Sequence, residues 1–204
     1  MANFPSPPER IDAGCVVLSR TRVEDAEAIA RAVAESLDHL QPWMQWATPD
    51  AGSVDTQRQR IARAQELWDE GECRYIMRPA GDDTVVGGCG LHRRVGAGRI
   101  EIGYWTHALY TGRGYATAAA KVLTEAGLAL PDIERVEIHC DQANVRSQAI
   151  PRRLRYQLDR IEDTDTVAPA ESGRMMIWVT DRSTSPVQPS FRRSAGQSTS
   201  GTER

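Results

Sequence analysis

Three short β-rich runs that follow one another along the chain, joined by glycine-containing turns, constrain the fold more than any other feature. The runs cover residues 73–80, 84–94 and 99–107, and the turns between them contain Gly81-Asp82 and Gly96-Ala97-Gly98. Consecutive strands joined by short glycine turns pair as antiparallel hairpins. The middle of the chain is therefore predicted to form a three-stranded antiparallel meander.

Strand and helix patterns alternate on both sides of this meander. In chain order they are a strand at 14–20, amphipathic helices at 21–40 and 54–70, and, after the meander, a helix at 114–128, a strand at 135–142, a helix at 144–154 and a strand at 174–182. Mixed order of this kind is typical of an α+β fold. We predict a central, mostly antiparallel twisted sheet that is flanked by helices.

The two ends of the chain differ in composition from the part between them. Residues 1–10 contain three prolines, and residues 183–204 are rich in Ser, Thr, Gly and Pro with few apolar side chains. Such segments bury too little apolar surface to offset the entropy lost on ordering. We expect a disordered N-terminal tail at 1–10, one folded domain at 11–182 and a disordered C-terminal tail at 183–204.

Composition excludes several classes of function. The formal net charge of −3 gives no broad basic field for nucleic acid. No apolar run approaches the roughly 18–20 residues of a membrane span, and the N-terminus lacks the pattern of a signal peptide. The four cysteines are isolated, without the spacing of a metal or disulfide framework. We expect a cytoplasmic protein without a metal and without a nucleic-acid or membrane partner.

The stretch "TGRGYATAAAK" (111–121) opens the helix that follows the meander. The first turn of a helix has unpaired N–H groups and the positive end of the helix dipole. Gly112 and Gly114 would let a ligand approach the backbone, and Arg113 would add a positive charge. The pattern predicts a phosphate or pyrophosphate on residues 112–117, although a Gly-x-Gly before a helix is often only a turn.

Four segments, in this order, resemble the GNAT N-acetyltransferase superfamily and, within it, the RimJ/RimL-like branch, whose members acetylate protein N-termini or small amines. They are "LQPWMQWA" (40–47), "EIGYW" (101–105), "GRGYAT" (112–117) and "NVRSQAIPRRL" (144–154). The resemblance covers about residues 14–182. It implies a GNAT fold and a bacterial enzyme that transfers acetyl from acetyl-CoA to a primary amine by direct attack. It leaves open a homodimer and, as an alternative function, a non-catalytic acyl-CoA-binding module.

The resemblance also implies a cofactor site. The pyrophosphate of acetyl-CoA would lie on Gly112, Arg113, Gly114, Tyr115, Ala116 and Thr117. The pantetheine arm would pair with the backbone of Tyr104, Trp105 and Thr106, and Asn144 would contact the arm or an ordered water. Asn144 is also expected to cap the helix that follows it.

The catalytic residues that the resemblance implies are Glu101 and Ser147. Glu101 would be the general base, with burial raising its pKa towards the working pH, unless it is simply a solvent-facing strand residue. Ser147 would donate a proton to the leaving thiolate. No tyrosine stands where many relatives have their acid, since that place falls near Pro151.

The remaining expectations concern the acceptor pocket and one departure from the family. His39, Trp43 and Trp46 would wall the pocket for the amine, although the tryptophans could equally belong to the core. The histidines at 92, 107 and 139 are interpreted as ordinary strand or loop residues. Arg155 stands where the family has a glycine, which favours a strained helix end, a different cap or an engineered substitution.

Overall fold

The computed structural model describes residues 4–184, in which eight strands form one sheet. Every neighbouring pair is antiparallel except the fifth and sixth strands, so the predicted α+β class and mostly antiparallel sheet are confirmed. In chain order the strands are β1 (Arg10–Asp12), β2 (Val16–Arg20), β3 (Glu72–Pro79), β4 (Gly87–His92), β5 (Arg99–Thr106), β6 (Arg135–Asp141), β7 (Gln157–Asp163) and β8 (Arg174–Asp181). Their order across the sheet is β1-β2-β3-β4-β5-β6-β8-β7.

Within the described residues, five α-helices flank this sheet, and short 3₁₀ turns precede or follow several of them. The helices are α1 (Ala26–Ala34), α2 (Leu37–Leu40), α3 (Val54–Glu66), α4 (Tyr115–Ala129) and α5 (Val145–Arg153). The helix predicted at 21–40 is divided, because the chain leaves helical geometry at Ser36. That break turns the buried Ser36 hydroxyl towards the loop after β5, where it accepts a hydrogen bond from the backbone of Ala108 at 3.1 Å.

The sheet buries apolar side chains on both faces, and alternation along each strand decides which face a side chain joins. In β3, Tyr75 lies in the core beneath α4, while its neighbour Ile76 packs with α1 and α3 on the other face. Helix α4 approaches the sheet closely at Gly127, where a β-carbon would lie 3.2 Å from Ile100 and Val136. On the opposite face, the part of the sheet that α1 and α3 do not cover is left for a ligand site.

Two strands, β1 and β7, were missed by the sequence analysis because both lie at the sheet edges. Strand β7 is exposed at six of its seven positions and lacks apolar alternation. Strand β1 begins at Arg10, and before it the Pro8 carbonyl accepts a hydrogen bond from the Tyr75 hydroxyl at 2.9 Å. The predicted C-terminal tail lies outside the described residues from 185 onward. Within residues 4–184, no helix has the length and apolar character needed to cross a bilayer.

Helix α5 ends at the residue that departs from the family pattern. Arg155 has a φ of 60° and is the only non-glycine residue with positive φ in the described chain. Its N–H donates to the Arg152 carbonyl at 3.2 Å, and the Tyr156 N–H donates to the Pro151 carbonyl at 2.9 Å. These two bonds form a Schellman motif, which favours glycine at the position of Arg155. The structure therefore agrees with the first of the alternatives given above for Arg155, a strained helix end.

Candidate active site

The gap between β5 and β6 is the feature around which the site is built. The two strands pair in parallel only where residues 99–101 face residues 135–137. Beyond that point, within the described chain, no ladder joins them, although β5 stays paired with β4 and β6 with β8. The backbone groups of residues 102–106 that face the gap are therefore free to bind an extended ligand that carries amide groups.

The N-terminus of α4 lies just after this strand and has no side-chain cap. Gly112 and Gly114 have φ of +76° and +84°, and a β-carbon on either would meet no atom of residues 4–184 within 4 Å. Gly114 occupies the cap position, so the N–H groups of the first turn have no partner from a capping side chain. Arg113 packs over the Tyr110 ring at 4.8 Å. The result is an open, positively polarised rim that suits an anionic ligand.

A buried histidine fixes the loop between β5 and α4. The Nδ1 of His107 accepts a hydrogen bond from the Leu109 N–H at 3.2 Å, so the proton of the neutral ring is on Nε2. Nε2 lies 3.0 Å from a carboxylate oxygen of Glu35, to which it donates. His107 therefore joins the loop between β5 and α4 to the end of α1, and both of its ring nitrogens are occupied.

A cavity of about 770 Å³ extends over the sheet face next to the gap. Trp43 and Trp46 line it, and Trp46 packs edge-on against Trp105 at 6.0 Å. His39 is not among the lining side chains. Burial, followed by the charges of Arg146 and His107, lowers the pKa of His39.

Glu101 lines the cavity and is 7% exposed, so it is not a solvent-facing strand residue. Arg94 donates two hydrogen bonds to its carboxylate, from Nε at 2.8 Å and from Nη2 at 2.7 Å. Burial alone would raise the pKa of Glu101, but the hydrogen bonds and charge of Arg94 outweigh burial and hold that pKa below its usual value. The prediction of a raised pKa is wrong, because the sequence did not reveal the arginine partner.

Ser147 lies on the first turn of α5, at the cavity and beside the gap. Its backbone N–H donates to Asn144 Oδ1 at 3.1 Å, so the predicted helix cap is confirmed. Its Oγ lies 3.1 Å from the hydroxyl of Tyr104, which also donates to the Ser147 carbonyl at 3.2 Å. Tyr104 was predicted only for its backbone, whereas the structure joins its side chain to the candidate acid.

The family follows from a sequence model that covers most of the folded region. A model of the acetyltransferase (GNAT) domain matches residues 16–157. The chain belongs to the GNAT acetyltransferase family. A curated relative from Bacillus subtilis (strain 168), named "Putative ribosomal N-acetyltransferase YdaF", is 28% identical over 137 residues, which are 65% of this chain and 73% of that protein.

Solved structures share the fold of this acetyltransferase at low sequence identity. RimL, a ribosomal L7/L12 alpha-N-protein acetyltransferase in complex with coenzyme A, superposes with a TM-score of 0.76 at 18% identity, covering 85% of this chain and 98% of RimL. Mycobacterium smegmatis RimJ in complex with CoA-disulfide superposes with a TM-score of 0.76 at 20% identity, covering 91% of this chain and 90% of RimJ. The GNAT fold and the resemblance to the RimL and RimJ acetyltransferases are thereby confirmed.

The acetyltransferase also has a row of ionisable side chains that the sequence analysis missed. Glu72, His92, Glu101 and Glu137 face one another in register across β3, β4, β5 and β6. Directly opposed residues point to the same face of a sheet, here the cavity face. The alternation of side chains along each strand could have identified these residues, because each of them lies next to one or two core residues in its strand. What brings them together is strand register.

The described residues contain no group of three or more His, Cys, Asp or Glu side chains arranged to hold a metal ion. All four cysteines are free thiols, and Cys89 and Cys140 line the cavity.

Proposed function

We propose that this acetyltransferase moves an acetyl group from acetyl-CoA to a primary amine by direct attack within a ternary complex. One observation carries the proposal: the gap between β5 and β6 runs beside the uncapped N-terminus of α4 and the hydroxyl of Ser147. Relatives of the same fold are described in complex with coenzyme A, and another, the microcin C7 self-immunity acetyltransferase MccE, with acetyl-CoA and AMP.

The residues present fit acetyl-CoA along this path. The exposed amides of residues 112–117 would hold the pyrophosphate, with Arg113 beside it. The free backbone edge of Tyr104, Trp105 and Thr106 would pair with the pantetheine amides, and Asn144 stands at the same gap. Acetyl-CoA supplies the acyl thioester, and the chain supplies its position relative to the cavity.

Direct attack is favoured over an acetyl-cysteine intermediate by the state of the two thiols that line the cavity. Burial raises the pKa of Cys140 to about 11, and it raises the pKa of Cys89 further. A thiol is a much weaker nucleophile than a thiolate. The amine is therefore the nucleophile that meets the thioester.

Ser147 and Glu101 have separate roles in this proposal. Ser147, held by Tyr104, would give a proton to the departing thiolate. Glu101 has both carboxylate oxygens bonded to Arg94, and its lowered pKa keeps it ionised at neutral pH. A buried carboxylate that is ionised at neutral pH attracts an incoming ammonium group more readily than it removes a proton from it.

The acceptor that we propose first is the N-terminus of a protein, because the relatives with this fold are named for acetylation of ribosomal proteins. A small amine is the second acceptor class. It is favoured by the tryptophans on the cavity wall, which can hold a cation by cation–π contact. A cytoplasmic location belongs to the same proposal and is supported by the four free thiols.

The test has two stages. Calorimetry with acetyl-CoA, and with NADH and ATP as controls, should give saturable binding of acetyl-CoA alone. Release of the CoA thiol is then followed with peptides that carry a free N-terminus, the same peptides already acetylated, and a panel of small amines. Binding without turnover on any acceptor would favour the non-catalytic acyl-CoA-binding module. Absence of acetyl-CoA binding would overturn the proposal.

A further inference from the structure

One histidine of the ionisable row forms a pair that the proposed function has not used. His92 is 9% exposed, and its Nδ1 lies 2.7 Å from Glu72 Oε2. Burial by itself would raise the pKa of Glu72, but the hydrogen bond from His92 and the charges of Arg94 and Arg74 hold that pKa below its usual value. An ionised carboxylate only accepts hydrogen bonds, so Nδ1 carries the proton. In the neutral ring, Nε2 then has a free lone pair.

The Nε2 atom of His92 is directed over two glycines of the cavity floor. A β-carbon on Gly90 would lie 2.9 Å from it, and one on Gly103 would lie 3.3 Å from it. Both glycines line the cavity, as does His92. No polar atom of residues 4–184 forms a hydrogen bond with Nε2, and the atom is not sealed from solvent. The two missing side chains therefore leave the lone pair open to the cavity.

The position of His92 in the sheet brings this lone pair close to the cofactor gap. In the ladder between β4 and β5, His92 faces Glu101. Glu101 is also the last residue of β5 that pairs with β6. Gly103, over which Nε2 lies, is two residues further, where the gap has opened. Nε2 thus lies at the inner end of the gap, where an acceptor amine would meet the thioester.

Two other candidate proton acceptors on this face, Glu101 and His139, have charged partners. Both oxygens of Glu101 accept from Arg94. His139, two residues beyond Glu137 on β6, uses its Nε2 at 2.7 Å from a Glu137 oxygen. The charged groups that face His92 are Glu72 and Arg74 on β3, Arg94 beyond β4, Glu101 on β5 and His139 on β6.

We propose that His92 is the general base of the acetyl transfer and that Glu72 is its positioning residue. This rests on the proposed function. The ammonium of the acceptor gives one proton to Nε2, and the amine lone pair forms the C–N bond to the thioester carbon. The C–S bond then breaks, and its electron pair leaves on sulfur. The thiolate takes a proton through Ser147, which is resupplied from the second N–H of the attacking nitrogen, and the imidazolium later releases its proton to water.

Glu72 makes this cycle possible in two ways. It fixes the tautomer in which Nε2 is the acceptor, and its negative charge stabilises the imidazolium that forms. The same arrangement of a carboxylate, an imidazole and a reacting proton serves general-base catalysis on unrelated folds. Glu101 remains the electrostatic partner of the ammonium, so the two carboxylates of the row have different roles.

The experiment measures kcat/KM of His92→Gln against pH with a peptide acceptor that has a free N-terminus. At pH 6.5 the α-amine is mostly protonated and needs a base, so a loss of about 100-fold is expected. At pH 9.5 the amine is already neutral, and the loss should shrink to less than about 10-fold. A constant ratio across this range would reduce His92 to a structural role, and wild-type activity at pH 6.5 would overturn the assignment outright.

Two further variants keep the test independent of folding. Glu72→Gln retains the imidazole and should show a smaller loss with the same recovery at high pH. His139→Gln is the matched control, because His139 is on the same sheet face and also has a carboxylate partner. Any loss of kcat/KM in this variant should not recover at high pH.

Calorimetry with acetyl-CoA on each variant separates the two proposals. If the wild type binds acetyl-CoA but acetylates no amine, the proposed function fails; if only the pH effect is missing, the His92 assignment fails alone.

Discussion

The two sides of the cofactor gap are built in opposite ways. On the cofactor side, residues 107–117 offer backbone N–H groups, two glycines in left-handed conformations and open space. On the acceptor side, Glu72, His92 and Glu101 are partly or fully buried side chains, each with a charged or hydrogen-bonded partner. In our proposal the first side binds with the main chain, and the second works with side chains that three different strands bring together.

This difference predicts which measurement each side controls. A backbone site is insensitive to most side-chain changes but fails when a glycine conformation is lost, and that failure affects cofactor affinity. A side-chain site depends on every member of each pair, and its failure affects the rate of the chemical step. Substitutions on the two sides should therefore separate the dissociation constant of acetyl-CoA from kcat.

The largest effect is expected from Gly112→Val. A β-branched residue strongly disfavours the φ of +76°, and its side chain would occupy the open space from which the pyrophosphate approaches. Affinity for acetyl-CoA should fall at least about 100-fold, or about 2.7 kcal/mol. Calorimetry measures this loss directly.

Gly81→Val is the matched control for that prediction. Gly81 has a φ of +79°, and a β-carbon there also meets nothing within 4 Å in the described part of the chain. Gly81, however, lies in the hairpin between β3 and β4, away from the gap. The two variants should lose similar thermal stability, while only Gly112→Val loses cofactor. Equal acetyl-CoA affinity in both would mean that the helix end does not hold the pyrophosphate.

Ser147→Ala should give the next largest effect, on the rate. Removing the proton donor should lower kcat by about 30-fold, or about 2 kcal/mol, with little change in acetyl-CoA affinity. Tyr104→Phe keeps Ser147 but removes the hydroxyl 3.1 Å from its Oγ, so a smaller loss is expected. Steady-state kinetics would measure kcat of each variant, and calorimetry would measure its affinity for acetyl-CoA. A change in affinity with unchanged kcat would assign Ser147 to binding instead.

The fold was largely predictable because its central elements have strong local signals. The meander β3 to β5 has glycine turns and apolar runs, and α4 begins after a Gly-x-Gly, so these elements were predicted within three residues. Strand β7 has almost no buried position, because it pairs at the edge of the sheet and is solvated on both faces. Its β-structure comes from its partner β8, which local sequence does not reveal.

The site was predictable only where it consists of contiguous residues. Gly112 and Gly114 were recognised together because they are neighbours in the sequence. The hydrogen-bonded pair of Glu72 and His92 depends instead on the register of β3 against β4, so each residue looked ordinary by itself. The contact of Arg94 with Glu101 likewise arises only in the fold. Burial of Glu101 was one of two alternatives that the sequence left open, and the lowering of its pKa was not predicted.

Arg94→Met tests the electrostatics of the acceptor side through stability. Glu101 has a lowered pKa in the folded state, so its ion pair stabilises the fold above the usual glutamate pKa of about 4.3 and loses that effect as pH falls below it. Because Arg94 is more than half exposed, the expected cost at pH 7 is only about 1–2 kcal/mol. Urea unfolding should show the difference between variant and wild type shrinking below about pH 4. A difference that grows towards acid would contradict the pairing.

Arg155→Gly should give the smallest effect and, unlike the other changes, a gain. Arg155 has a φ of 60° in the Schellman motif that ends α5. Glycine adopts this conformation without strain, because it has no β-carbon. Relief of this strain, less the greater entropy of glycine in the unfolded chain, should stabilise the protein by about 0.5–1 kcal/mol. The measurement is the free energy of unfolding in urea. Arg153→Gly, at the last residue of α5, is the control and is expected to destabilise the protein.

Because Ser147 and Asn144 lie at the other end of this helix, kcat and acetyl-CoA affinity of Arg155→Gly should stay at the wild-type level. A loss of stability in Arg155→Gly would mean that the arginine side chain makes contacts worth more than the backbone strain.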